Sequence, residues 1–121
     1  MTTTEWLAEL RRQHPGVQVN LEERPGGWLY LDALVVPAAR REQGQGSAVM
    51  RELIAYADER GLSMALVPAG DYGGSPRRLR RFYARFGFEQ PGRVIPAEVV
   101  EPASNARARV MVRWSRPGHQ L

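Results

Sequence analysis

An amphipathic segment between two strongly apolar runs restricts the folds open to this 121-residue chain more than any other feature. The apolar runs are WLYLDALVV at 28–36 and LSMALVP at 62–68. Between them, apolar side chains recur at helical spacing up to Gly61, a residue type that commonly ends helices. These side chains are Val49, Met50, Leu53, Ile54 and Ala57. A helix that begins at Gly46 or the next residue and ends at Arg60, flanked by two buried strands, predicts an α/β domain.

The segment before the first apolar run predicts a helix and a strand. Thr4 has a residue type that caps helices, and the helix is expected to extend through Gln13. Residues 17–24 then alternate apolar and polar side chains as far as Leu21. Because the PGG turn at 25–27 separates this segment from the first apolar run, we expect the two strands to form an antiparallel hairpin.

The C-terminal third predicts one more helix and a final strand. Ser75 and Pro76 have the residue types that begin helices, and this helix is expected to run to about Phe86. Residues 92–106 have no clear periodicity and are interpreted as a loop or a weak strand. The segment ARVMVRWS at 108–115 alternates as a strand does, and completes the expected sheet.

Composition excludes several kinds of site and partner. Because the chain has no cysteine, and only His14 and His119 offer imidazole, no metal site is predicted. Its length suits a single domain over residues 1–121, and 43% apolar residues can form a core. No apolar run approaches the ~20 residues that span a bilayer, and the first ten residues do not resemble a signal peptide. We therefore expect no membrane partner and a cytoplasmic location.

All 17 basic residues are arginine, and the net charge is +4. A coding bias toward arginine explains this usage, and phosphate or nucleic-acid binding by guanidinium groups is the alternative. The helix after Ser75 carries five arginines around an apolar face, so its aromatic side chains are expected to point inward. Inward-pointing rings cannot stack on bases, which makes nucleic-acid binding the disfavoured alternative.

The turn between the first apolar run and the central helix has the sequence RREQGQGSAV, residues 40–49. Glycines at 44 and 46 would let an anion approach the free N–H groups of a helix start, with Arg40 or Arg41 adding charge. A plain tight turn explains the same glycines, so the turn alone leaves both interpretations open. A third glycine at dinucleotide spacing and the GK[ST] motif are both missing, so neither NAD nor ATP is supported.

Two motifs together resemble a known family. VVPAARREQGQGSAVM at 35–50 followed by RRFYARFGFE at 80–89 is similar to the GCN5-related N-acetyltransferase (GNAT) signature, and the resemblance covers about Trp28 to Glu89. It implies a mixed, mostly antiparallel central sheet flanked by helices, here with a shortened N-terminal part. It also implies acetyl-CoA as the acyl donor. Residues 50–88 further resemble small acetyltransferases of phages and mobile elements.

The resemblance implies where acetyl-CoA binds. Arg41, Gly44 and Gly46 match the pyrophosphate motif, with neighbouring backbone N–H groups completing it. The strand before the turn would pair with the pantetheine arm and donate to the thioester oxygen, and two arginines of the second helix would reach the ribose phosphate. The predicted coenzyme-binding residues are Leu34, Val35, Val36, Arg40, Arg41, Gln43, Gly44, Gln45, Gly46, Ser47, Arg77 and Arg78.

The resemblance also implies two catalytic residues. Tyr83 matches the tyrosine that protonates the departing thiolate in many members, and a phenol with a pKa near ~10 stays protonated at neutral pH. Its alternative role is that of an aromatic side chain at the edge of the core. Asp32 lies on the strand that lines the site and is the candidate general base. Its alternative role is that of a solvated strand residue or the partner of an arginine.

The predicted function is acetyl transfer from acetyl-CoA to a primary amine, made directly in a ternary complex. The acceptor is left open between a small molecule and a protein or peptide, at a lysine or an N-terminus. The shortened N-terminal part suggests an open acceptor cleft or one completed by a second copy in a homodimer. The alternative function is a regulatory module that binds acetyl-CoA without turnover.

Overall fold

The computed structural model describes residues 1–37, 44–68, 75–100 and 109–115. Within these segments one sheet of four strands has the order β1-β2-β3-β4, with β2 and β3 parallel and the other two pairs antiparallel. The strands are Gln18–Arg24 (β1), Trp28–Val35 (β2), Ser63–Leu66 (β3) and Met111–Arg113 (β4). The helices are Thr3–Gln13 (α1), Gln45–Arg60 (α2) and Pro76–Ala84 (α3), with a 3-10 turn at Ala97–Val99. The predicted mixed, mostly antiparallel α/β fold and its first hairpin are confirmed.

The sheet separates two apolar clusters because successive strand side chains point to opposite faces. Leu29 and Leu31 of β2 join one cluster, which contains buried side chains of all three helices. Trp28 and Tyr30 join the other, which Val99 and neighbouring apolar residues cover. The first half of β2 is thus buried on both faces, and each such leucine contributes about 2 kcal/mol to folding. This burial fixes the position of β2, the strand that carries the candidate base.

A β-bulge changes the direction of the side chains in the second half of β2. Asn20 pairs with Ala33 and Leu21 pairs with Leu31, so Asp32 is an extra residue on β2. Before the bulge, the odd-numbered side chains Leu29 and Leu31 point to the cluster formed with the helices. After the bulge, the even-numbered Leu34 packs against that same cluster. The bulge therefore exchanges the faces of the sheet to which odd- and even-numbered side chains of β2 point, and bulges near functional sites often redirect side chains in this way.

Element ends differ from the sequence-based expectations in ways that hydrogen bonds explain. Helix α1 is capped by Thr2, not by Thr4, because Thr2 and Glu5 form a reciprocal capping box. Helix α3 ends at Ala84, two residues before Phe86, because the Phe86 N–H bonds to the Tyr83 carbonyl in a tighter turn at 2.9 Å. Helix α2 begins one residue before the expected start and ends where predicted. None of the helices in the described segments is long and apolar enough to span a membrane.

Candidate functional site

A cavity of about 370 Å³ opens where β2 and β3 separate. Pairing of the two strands ends at Leu31 and Leu66, whereas β2 continues to Val35. In the described part of the chain no strand follows the β3-facing edge of β2 beyond this point. The cavity is bounded by this edge, by the start of α2 and by one side of α3, and its volume is in the range of small-molecule sites.

Most of the predicted site residues that the structure describes lie around this one cavity. They are Asp32, Leu34, Val35, Val36, Gly44, Gly46, Ser47, Arg78 and Tyr83. Gln45 lies in the first turn of α2 and Arg77 in the first turn of α3, but neither borders the cavity. Arg40, Arg41 and Gln43 lie outside the described residues. Residues as far apart in sequence as Asp32 and Tyr83 therefore meet at one place in the fold.

The start of α2 presents backbone groups without a capping side chain. Gly44 is the N-cap residue with φ +74°, a left-handed conformation that glycine adopts without strain, and no side chain of the described residues caps the first turn. The first turn also holds no acidic residue. Its N–H groups and the positive end of the helix dipole are therefore available to an anion.

Gly46 lets three elements approach one another at this end of the cavity. A β-carbon at this position would lie 3.4 Å from Val36 Cγ2 on the chain after β2 and 3.6 Å from Phe82 Cζ on α3. A larger side chain here would have to displace one of these two walls or enter the cavity. A β-carbon itself would make ordinary contacts here, so the packing restricts the size of the side chain at position 46 but does not require glycine.

Tyr83 is the buried phenol of the site. It is 8% exposed, and its ring makes edge contacts with Phe82 and Phe88 at centroid distances of 5.2 and 6.0 Å. Burial raises the pKa of Tyr83 to about 12, so its hydroxyl stays protonated throughout the physiological range. Among the described residues this hydroxyl has no hydrogen-bond partner, although it borders the cavity. It is a proton-bearing donor available to a ligand.

Asp32 is an exposed carboxylate on β2 that also borders the cavity. Its Oδ2 accepts a hydrogen bond from Asn20 Nδ2 at 3.2 Å, and no arginine of the described segments pairs with it. The alternatives to a role as base were a solvated strand residue or the partner of an arginine. In the described residues Asp32 is exposed and has no arginine partner. An ionised carboxylate at a cavity wall can accept a proton or bind a cationic group.

One side of α3 supplies residues that the sequence interpretation did not assign to the site. Phe82 and Leu79 line the cavity with Tyr83, and Arg85 borders it beside Arg78. The Arg85 guanidinium lies 5.5 Å from the centre of the Phe82 ring. Helical spacing in the sequence could have identified these residues. Phe82 follows Arg78 by four positions and Arg85 follows Phe82 by three, so the three side chains lie on the same side of α3 and its C-cap. Two arginines thus border the cavity together with these apolar side chains.

Comparison with known proteins identifies the family. The family model described as acetyltransferase (GNAT) family matches residues 8–88, about two thirds of the chain. This chain belongs to the GNAT family. The match includes the strand, turn and helices that surround the cavity of this GNAT protein, and the family uses acetyl-CoA as its acyl donor. No group of three or more potential metal ligands occurs in the residues that the structure describes.

Solved structures share the fold. A GNAT-family acetyltransferase from Staphylococcus aureus Mu50 has a TM-score of 0.64 and 16% identity over 84% of this chain and 61% of its own. The anti-CRISPR protein AcrVA5 has a TM-score of 0.59 and 24% identity over 83% of this chain and 90% of its own. Arabidopsis thaliana Naa50, in complex with the bisubstrate analogue CoA-Ac-MVNAL, has a TM-score of 0.50 and 22% identity over 80% of this chain and 62% of its own. The present chain thus spans about three fifths of the staphylococcal and plant chains. No curated protein matches the sequence significantly.

Proposed function

We propose that this GNAT protein transfers the acetyl group of acetyl-CoA to a primary amine by direct attack in a ternary complex. The observation that carries the proposal is the convergence on one cavity of an uncapped helix start, an unpaired strand edge and the protonated phenol of Tyr83. These are the groups needed to bind a pyrophosphate, to hold an extended amide chain and to assist a leaving group.

The phosphate end of the donor belongs at the start of α2. Backbone N–H groups from Gly44 to Ser47 would bind the pyrophosphate, and Arg78 and Arg85 at the cavity border would add positive charge. Arg40, Arg41 and Gln43, predicted for the same role, extend this proposal to residues outside the described segments. Two arginines and several apolar side chains along the cavity suit a ligand with an anionic end and a less polar arm.

The pantetheine arm belongs along the free edge of β2. Residues 33–35 of β2 line the cavity beyond the last residue paired with β3 in the described segments, so the arm would take the place of a neighbouring strand. Acetyl-CoA, when bound, supplies the acetyl group as a thioester. A backbone N–H of this edge would donate a hydrogen bond to the thioester oxygen, where negative charge develops during attack by the amine.

Tyr83 would stabilise the departing sulfur. Its pKa of about 12 lies above the ~8.5 of an ordinary thiol, so the phenol keeps its proton when it faces a thiolate. This order of pKa values favours a strong hydrogen bond to the developing thiolate over complete proton transfer. Such donation lowers the barrier to C–S cleavage without forming a phenolate. The departing thiolate then takes up the proton that the nitrogen loses after attack, so CoA leaves as the thiol.

Asp32 would accept the proton that the amine loses. Amines attack only when neutral, and an ordinary alkylamine is protonated at neutral pH, so a nearby carboxylate assists by binding the ammonium and accepting its proton. The acceptor is proposed as a small-molecule amine or a lysine or N-terminus of a protein or peptide. The peptide-like part of the analogue bound to Naa50 supports the peptide alternative. Completion of the acceptor side by a second copy, mobile-element kinship and a cytoplasmic location remain predictions.

Calorimetric titration of acetyl-CoA tests the proposal. The wild type is expected to bind, and Gly46→Arg is expected to abolish binding because its side chain cannot fit between Val36 and Phe82. Gly92→Arg adds the same charge and bulk where a β-carbon meets nothing within 4 Å, and should bind as the wild type does. Thermal unfolding of all three proteins checks that they fold.

Transfer is then measured with a panel of amines and peptides. Tyr83→Phe is expected to bind acetyl-CoA normally and to lose about 10²-fold in turnover, the usual contribution of a positioned proton donor. No binding by folded wild type would contradict the proposal. Binding without transfer to any amine would favour the regulatory module instead.

A further inference from the structure

A hydrogen-bonded chain of three side chains leads from α1 to the candidate base. We propose that Asn20 is a positioning residue that holds Oδ2 of Asp32 and leaves Oδ1 for the acceptor amine. Asn20 itself does not touch the reacting atoms. This inference rests on the proposed acetyl transfer and adds a residue to its machinery.

The bulge explains why Asp32 needs a residue to hold it. Asp32 has no partner in the strand register, since its neighbours Leu31 and Ala33 pair with Leu21 and Asn20. A bulged residue is re-aimed relative to the regular strand, and its exposed side chain has free rotamers. The hydrogen bond of 3.2 Å from Asn20 Nδ2 to Asp32 Oδ2 selects among those rotamers across the irregularity.

Arg11 determines which way the Asn20 amide faces. The Arg11 guanidinium donates from Nε and Nη2 to the Val19 carbonyl, at 3.0 and 2.7 Å, and from Nη2 to Asn20 Oδ1 at 3.3 Å. Because a guanidinium only donates, Asn20 must present its oxygen to Arg11. Its NH₂ group is then directed to Asp32. Helix α1 thus fixes the amide, and the amide fixes the carboxylate.

The described partner of Asp32 is the neutral amide of Asn20. Asp58, for comparison, is held by both terminal nitrogens of Arg113 at 2.6 and 3.1 Å. An arginine partner would neutralise the carboxylate, whereas an amide orients it and leaves its charge in place. Oδ1 has no partner among the described residues. The geometry therefore reserves one charged oxygen for an ammonium group and its proton.

Steady-state kinetics with a double-mutant cycle test this role. Asn20→Ala is expected to lower kcat about tenfold, corresponding to one hydrogen bond to a charged group, with KM for acetyl-CoA within about twofold. In an Asp32→Ala background, Asn20→Ala should have no further effect. Gln18→Ala, an exposed polar residue two positions away on β1, is the matched control and should leave both parameters unchanged. Asn20→Gln should restore part of the loss.

Equal losses from Asn20→Ala in the wild-type and Asp32→Ala backgrounds would overturn the proposal, as would a raised KM for acetyl-CoA with unchanged kcat. A readout without turnover separates this inference from the proposed function. The NMR signals of the Asn20 side-chain NH₂ should shift on Asp32→Ala and stay in place on Gln18→Ala. If the Asn20 side-chain NH₂ signals do not shift on Asp32→Ala, the positioning role is wrong. If the wild type transfers no acetyl group, the proposed function fails and with it the role of Asn20.

Discussion

The two ends of helix α2 both have a left-handed glycine, but they differ in the hydrogen bonding of their backbone groups. The carbonyl groups at the carboxyl end are bonded within the protein, whereas the N–H groups at the amino end have no capping side chain among the described residues. Gly44 at the amino end and Gly61 at the carboxyl end both have left-handed backbone, with φ +74° and +67°, and open space where a β-carbon would be. At Gly61 the chain returns to bond the last carbonyls, with the N–H of Leu62 donating to Ala57 O at 2.9 Å. At Gly44 no side chain of the described segments caps the first turn.

The surroundings of the two ends repeat this contrast. Beside the carboxyl end, Arg113 is 6% exposed and donates to Asp58 and to the Phe86 carbonyl, so its polar atoms are used. Beside the amino end, the Tyr83 ring is buried but its residue borders the cavity, and its hydroxyl has no partner within the described segments. Donors that border a cavity and have no partner among the described residues are available to a ligand. One end of α2 maintains the fold and the other is available for chemistry.

Breaking the carboxyl end should give the largest loss of stability. Asp58→Ala would leave the Arg113 guanidinium buried without its carboxylate, and should lower the free energy of unfolding by about 3 kcal/mol. Chemical denaturation measures this loss, and acetyl-CoA affinity of the folded fraction should be unchanged. Glu9→Ala removes the exposed partner of Arg12 and serves as control, with an expected loss below about 0.5 kcal/mol. Equal losses in both variants would contradict the structural role assigned to this end.

The two glycines give the sharpest form of the comparison. Gly44→Ala and Gly61→Ala each place a β-carbon in left-handed backbone, so each should destabilise the fold by about 1 kcal/mol. Only Gly44→Ala should also weaken acetyl-CoA binding, because the strain changes the direction of the N–H groups at the start of α2. Denaturation and calorimetry of the matched pair measure both quantities. If the two variants bind acetyl-CoA equally well, the amino end is a plain turn.

The amino end of α2 and the strands around it were largely predictable from the sequence. Apolar spacing from Val49 to Ala57 fixed the helix, and the alternation before Leu21 with the glycine turn after Pro25 fixed the hairpin, because each pattern is local. The residues of the glycine turn that the structure describes, Gly44 and Gly46, lie at the cavity as the family resemblance implied. Their binding role remains a prediction.

The bulge at Asp32 and the contacts that hold it could not be predicted in this way. A single extra residue in β2 leaves the composition of the strand unchanged and alters only its register against β1. Arg11 meets Asn20 only after α1 packs on the hairpin, and nothing in the local sequence marks that contact. Arg85 was grouped with the other exposed arginines of α3 because charge alone does not show which side of a helix borders a cavity.

Alkaline pH tests whether the cavity end holds a desolvated hydroxyl. Burial raises the pKa of Tyr83 from about 10 in the unfolded chain to about 12 in the folded protein. As pH rises, the unfolded chain therefore loses this proton first, and the free energy of unfolding falls between pH ~10 and ~12. At pH 11 the loss due to Tyr83 should be about 1 kcal/mol relative to pH 8.

Denaturation of the wild type and Tyr83→Phe at both pH values isolates this contribution, since every other ionisable group is common to the two proteins. At pH 8 the variant should be no less stable than the wild type, because it loses only a hydroxyl that has no partner in the described structure. The free energy of unfolding of Tyr83→Phe should then increase relative to that of the wild type as pH rises. Parallel pH profiles would show that the hydroxyl is solvated, and the contrast between the two ends of α2 would rest on backbone groups alone.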